Sequence, residues 1–200
     1  MADSNHQEMF DRILRHLDAH PELAGDVKFE TTATGIVAMS PADLAHAAVV
    51  QSLRDQLHAG LTASGNPVMV ANDAGFVTAG LKKIPDLFVI DYARHSPESG
   101  GYVQGVDGVW LFAEVTSPST RDADLGLAHT AADPGKPWVY AEAGVPLYLV
   151  VDRKEARVLL YADPGPGGYP PPLIRPIGES LWLPQPFGFA LDTEPLKTFV

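Results

Sequence analysis

Early in the chain the apolar positions recur with a helical period, whereas from Pro67 onward they gather into short runs bounded by Gly, Asn, Asp or Pro. Ser4 and Gln7 have the spacing of a capping box, and Met9, Phe10, Ile13, Leu14 and Leu17 then share one helical face before Pro21. An opening amphipathic helix is predicted. Residues 27–32, the Thr34-Gly35 turn signal and residues 36–39 read as a hairpin, because β-branched residues flank a glycine-containing break. A second helix follows, with Ser40 as its cap, Pro41 at the first helical position, Leu44, Ala47, Leu53 and Leu57 along one side, and Gly60 as its end.

The later runs have the length of buried strands: PVMVA from Pro67, PDLFVID from Pro85, VWLFAEV from Val109 and PLYLVV from Pro146. A helical segment containing Val139 and Tyr140 closes at Gly144, and a strand over 157–161 follows a turn. The proline-rich remainder, including residues 169–172, predicts edge strands and loops that wrap the core. Alternation of strands and helices gives an α/β class with a mixed central sheet flanked by helices, in one domain over 1–200.

Composition narrows the chemistry. The chain has 200 residues, 46% of them hydrophobic, and no run approaches the ~18 apolar residues needed to span a bilayer. With no basic-then-apolar leader either, the expectation is a cytoplasmic protein without a membrane partner. The absence of cysteine removes disulfides, thiolate zinc sites and cysteine nucleophiles, so any metal must rest on oxygen or imidazole. A net charge of -11 repels nucleic acid on average, so a phosphate ligand requires a local basic patch or a bound cation.

Asp86 begins one apolar run and Glu114 lies near the end of another. Desolvating an unpartnered carboxylate costs several kcal/mol, so such residues belong at strand ends, in ion pairs or on a metal. If the two strands are neighbours, both carboxylates can reach one Mg²⁺. No Gly-x-Ser-x-Gly elbow surrounds Ser117 and Ser119, and no glycine-rich phosphate loop is present.

The series PDLFV from Pro85, AEVTSPSTRDADLG from Ala113 and KPWVYAEAGVPLYLVVDR from Lys136 resembles the Uma-two family of the PD-(D/E)xK restriction-endonuclease-like superfamily. The likeness extends upstream through GIVAMSP and His46, and downstream through VLLYADP and LPQPFGFALD. It implies a restriction-endonuclease-like fold with an added N-terminal hairpin and C-terminal edge strands, and a Mg²⁺- or Mn²⁺-dependent endonuclease acting on nucleic acid, with a homodimer as the expected assembly. Carried over residue by residue, it implies Asp86, Glu114 and Lys136 as catalytic residues, with Asp86, Glu114 and the Val115 carbonyl as metal ligands.

The chain departs from the superfamily pattern where lysine usually stands two residues after the glutamate: here that residue is Thr116, so the lysine must come from the following helix. Pro134 and Gly135 are expected to interrupt that helix and shift the lysine head. His46 reads first as a surface or packing residue, with lining of the site as the alternative; Asp122, Asp124 and Asp133 stay open between a second metal ligand and helix-dipole partners, and Asp152 reads as a turn or cap. Lys82, Lys83, Arg121, Arg153, Lys154 and Arg157 are candidates to flank a phosphate groove. The competing expectation is a noncatalytic module that keeps the fold and binds a protein.

Overall fold

A computed structural model describes residues 28–32, 35–39, 42–66, 68–94, 102–127 and 134–200, with positions 8, 12, 13, 15, 16 and 19. Those isolated early positions are helical, but Met9, Phe10, Leu14 and Leu17 of the expected opening helix lie outside the described residues. Thr34, Ser40, Pro41 and Asp133 lie outside them too.

The expected hairpin is present: β1 (Lys28–Thr31) pairs antiparallel with β2 (Ile36–Met39). The following helix, α1 (Leu44–Ala63), begins later than its proline suggested. Its cap is Asp43, whose carboxylate accepts the His46 N–H at 2.7 Å. Nor does Gly60 end it. The Phe189 ring presses against Gly60 so closely that a Cβ there would lie 2.4 Å from the ring, so glycine serves packing in mid-helix rather than termination.

Downstream come β3 (Met69–Ala71), β4 (Phe76–Thr78), β5 (Leu81–Lys83), β6 (Leu87–Ile90), β7 (Val103–Gln104) and β8 (Val109–Val115). Two short helices, α2 (Arg121–Leu125) and α3 (Lys136–Glu142), precede β9 (Leu147–Asp152), β10 (Arg157–Ala162), β11 (Leu173–Pro176), β12 (Leu181–Leu183) and β13 (Phe189–Leu191). Six strands form the central sheet in the order β11-β10-β9-β8-β6-β3. Only β8 and β9 run parallel, and the connection between them carries α2 and α3. The sheet is therefore mixed, as expected. The small β5-β4-β7 sheet went unread in the sequence, because three-residue strands carry too little periodicity.

Alternation along the strands builds two cores. Leu111, Ala113 and Val115 of β8 join Leu147, Leu149 and Val151 of β9 on the face covered by Val49, Leu53, Leu57 and Leu61 of α1. Each such buried aliphatic side chain contributes about 1.5–3 kcal/mol. The opposite face is aromatic: Phe88, Phe76, Phe112, Tyr140 and Tyr148 form a ladder with successive centroids 4.7–5.0 Å apart. At the C-terminal end, β11 is the sheet edge, while β12 and β13 form their own hairpin and add Leu181, Leu183 and Leu191 to the first core. Among the described residues no helix is long and apolar enough to cross a membrane.

Candidate functional site

The pairing of Leu87 with Ala113 and Phe88 with Phe112 brings Asp86 level with Glu114 one step further along the register. Glu114 alternates with Phe112 and so turns to the aromatic face, beneath α3. The Val115 N–H donates to Asp86 Oδ2 at 2.8 Å, which ties the two strand ends together. His46, from α1, places Nε2 3.0 Å from the same oxygen, while its buried Nδ1 has no hydrogen-bond partner among the described residues. The sequence treated this histidine as a packing residue; the fold sets it against the Asp86 carboxylate instead.

Lys136 closes the group. Its ammonium lies 2.9 Å from Glu114 Oε1, 2.9 Å from Asp124 Oδ1 and 3.7 Å from Glu30 Oε1. Pro134 and Gly135 are non-helical, as expected: Gly135, at a φ of 77°, is the cap, and α3 starts only at Lys136, with Pro137 in its first turn. Where the superfamily has its strand-borne lysine, the hydroxyl of Thr116 accepts the Arg153 N–H at 3.0 Å.

Two further carboxylates belong to this cluster. Glu30, from the hairpin, accepts the Ile84 N–H at 2.9 Å and meets the Lys83 ammonium at 3.5 Å. Asp124, from α2, is fully buried. Glu30 gives no signal in the sequence beyond an acidic residue inside a strand, and for Asp124 the sequence leaves a metal ligand and a dipole partner both open. Four carboxylates thus face two lysine ammoniums, Lys83 and Lys136, in surroundings where the side chains of Glu114 and Lys136 are 2% and 4% exposed. Only Asp86 keeps appreciable exposure, at 22% of its side chain.

The electrostatics follow from that excess. Burial pushes Glu114 well above the usual carboxylate range; Lys136 opposes the shift, while Asp86, Asp124 and Glu30 reinforce it. Burial also raises Asp124 against the pull of Lys136. Burial works to lower Lys136, but Asp124, Glu114 and Glu30 hold it well above the ordinary lysine value, so it stays charged. At Asp86, burial is overcome by the His46 hydrogen bond and charge, by Lys136 and by the Val115 N–H, and the carboxyl lies below its ordinary value. Tyr140 donates to Glu114 Oε1 at 2.9 Å, and burial holds its hydroxyl protonated.

The six candidate groove cations divide differently from the sequence expectation. Lys82 and Lys83 are buried. Arg121 clasps Asp152 through two bonds of 2.8 and 2.9 Å, and Arg157 adds a third at 3.0 Å. Arg153 bonds Asp43 at 3.0 Å and the Phe199 carbonyl at 3.2 Å. A cleft of about 610 Å³ does open beside Thr116, between Asp43, Ser117, Arg121, Arg153 and Lys154, but its arginines are already paired. Asp152 is the hub of an internal ion-pair cluster, not the turn or cap residue read from the sequence.

A mixed sheet with one parallel pair, helices on both faces and an acid-lysine cluster at adjoining strand ends defines a nuclease-type α/β fold of the restriction-endonuclease-like kind. Residues 11–194 match the Uma2 family, described as "Putative restriction endonuclease", and the chain belongs to that family. A crystal structure described as a "putative nuclease belonging to DUF820", from Anabaena variabilis, superposes with a TM-score of 0.60 at 14% identity, covering 86% of this chain and 90% of that one. At that identity the likeness establishes the fold. No curated protein matches the chain.

Proposed function

We propose that the chain is a divalent-metal-dependent endonuclease that hydrolyses phosphodiester bonds in nucleic acid, with Asp86, Glu114 and Lys136 as its catalytic residues. The observation that carries this reading is the convergence of Lys136 on Glu114 at 2.9 Å, beside an Asp86 brought level with Glu114 by the strand register. The donor set fits a hard cation. Among the described residues no three Asp, Glu or His side chains form a ready-made cage, so an ion would rest on Asp86, Glu114, the Val115 carbonyl and water. Mg²⁺ is commonly held in that way, by one or two carboxylates and retained waters. The surplus of buried negative charge supplies the electrostatic demand for it.

A bound Mg²⁺ or Mn²⁺ would polarise a phosphoryl oxygen and lower the pKa of its water. His46 and the Val115 N–H both bond to Asp86 Oδ2, keeping that carboxyl ionised and oriented, with Oδ1 remaining for a cation. Lys136 would hold its proton at Nζ and offset charge that develops on the pentacovalent phosphorus. Its ammonium cannot serve as a base while the carboxylates around it keep it protonated.

The test is cleavage of single-stranded, double-stranded and structured nucleic acids with Mg²⁺ or Mn²⁺, beside Asp86→Ala and Glu114→Ala proteins of verified fold. Metal-dependent cutting that disappears in both variants is expected. Equal activity in all three proteins would refute the assignment. A protein-binding module is the second reading, favoured by the net charge of -11. Calorimetric titration with Mn²⁺ separates the two, since a module without the site shows no binding that Asp86→Ala removes.

A further inference from the structure

We propose that Asp124 is a positioning residue: it seats the Lys136 ammonium beside Glu114 and replaces the rigidity that a strand-borne lysine would have. The inference rests on the nuclease reading, because it assigns a role to the lysine of that same site.

A lysine on a strand is held close to the carboxylates by the pleat, whereas Lys136 reaches across from the first turn of a helix on a flexible four-carbon stem. The strand position that could have supplied it is filled by Thr116, committed to the Arg153 N–H. Something else must fix the head group. Glu114 alone is a poor anchor, because a carboxylate that takes a cation shares its oxygen away from the ammonium. Asp124 has no such competing duty. It is 0% exposed, and its carboxylate meets the Lys136 ammonium at 2.9 Å, with the neighbouring Thr120 side chain as a further hydrogen-bonding group.

That burial is costly. A fully buried carboxylate sacrifices several kcal/mol of hydration, and an apolar pair in place of a buried ion pair commonly serves stability as well or better. Stability therefore gives no reason for aspartate here, and placement of the ammonium does. The seat is also rigid. Tyr148 donates its hydroxyl to the Asp124 carbonyl at 2.8 Å, which pins the backbone that carries the carboxylate. At the junction of the two helices, Gly135 lies so close to Gly126 that a Cβ on Gly135 would sit 2.8 Å from the Gly126 Cα. Backbone contact between the end of α2 and the start of α3 fixes Asp124 and Lys136 relative to one another.

The experiment compares wild type, Asp124→Asn, Lys136→Met and the double variant, in cleavage assays with Mn²⁺ and in trace acetylation read lysine by lysine by mass spectrometry. Asn keeps the shape and removes the charge. Asp124→Asn is expected to lower kcat roughly 10- to 100-fold with KM unchanged, the range typical of groups that orient a site residue. It should have little further effect in the Lys136→Met background, where there is no ammonium to seat. Acetylation of Lys136 should rise several-fold in Asp124→Asn while that of buried Lys83 stays constant. Unchanged kcat, or a loss that persists in full without Lys136, overturns the proposal. If the wild type cuts no substrate, the nuclease reading falls by itself and acetylation decides the seat: equal labelling of Lys136 in both proteins, or a parallel rise at Lys83, overturns it.

Discussion

Lys136→Met gives the sharpest test of the charge balance in the site. Methionine fills nearly the same volume but leaves Glu114 and Asp124 without the ammonium that lies 2.9 Å from each, and Glu30 with Lys83 but without the second ammonium at 3.7 Å. Breaking a buried ion pair from one side costs about 3–5 kcal/mol. For a chain of this length each kcal/mol moves Tm by about 2–4 °C, so a fall of roughly 6–20 °C is expected at neutral pH. The dependence on pH has a definite sign. Glu114 and Asp124 have folded pKa values raised above those of the unfolded chain, so their folded forms are favoured at low pH and lose ground as pH rises through the raised values. Without Lys136 both rise further, because the ammonium was the term lowering them. The difference in Tm between wild type and variant should therefore widen from pH 5 to pH 8. Thermal unfolding followed by circular dichroism in EDTA measures it. A difference below about 2 °C at neutral pH, or one that narrows as pH rises, refutes the argument.

Gly60→Ala should destabilise the fold by about 1–3 kcal/mol in urea unfolding, the reverse of the usual helical gain, because the new methyl meets the Phe189 ring. Asp152→Ala should cost about 3–5 kcal/mol by removing the buried carboxylate that Arg121 and Arg157 share, which leaves Arg121 only Glu155 at 3.7 Å. Asp152 has a depressed folded pKa, so the wild-type advantage over that variant is present above the ordinary carboxylate value and is lost as pH falls through the depressed one; acid titration of the two proteins checks it. Mg²⁺ at about 100 times its dissociation constant should stabilise the wild type by about 2.7 kcal/mol and leave Asp86→Ala unmoved, as read by differential scanning calorimetry.

The buried strands were legible because four to seven apolar residues between turn signals leave few alternatives, and Asp86 and Glu114 stood out as charges in such runs. The family motif supplied Lys136, and the Pro134-Gly135 pair lies outside the helices as its residue types demand, with Gly135 also serving as the cap from which α3 starts. Glu30 and Asp124 were illegible for a different reason. Their significance comes from what lies across from them, 106 and 12 positions away at Lys136, and no local pattern records a long-range ion pair. His46 was equally hidden, since a helical histidine looks the same whether it packs or bonds to Asp86. The late start of α1 escaped because Asp43, Pro41 and Ser40 are all acceptable caps or first-turn residues, and the 2.7 Å bond from the His46 N–H selects one of them.

The site draws its charges from β1, the start of β6, the end of β8, α2 and α3, so it has an order of assembly. A chain emerging from the ribosome exposes Glu30, Asp86, Glu114 and Asp124 before Lys136. Until α3 is made, Glu114 and Asp124 lack the ammonium that lets them enter the core, and β9, which must lie parallel to β8, is later still. Non-local parallel pairing of this kind forms late in folding. Nascent and prematurely terminated chains that stop short of α3 therefore lack the assembled acid-lysine cluster, which forms only in protein that has been synthesised through β9.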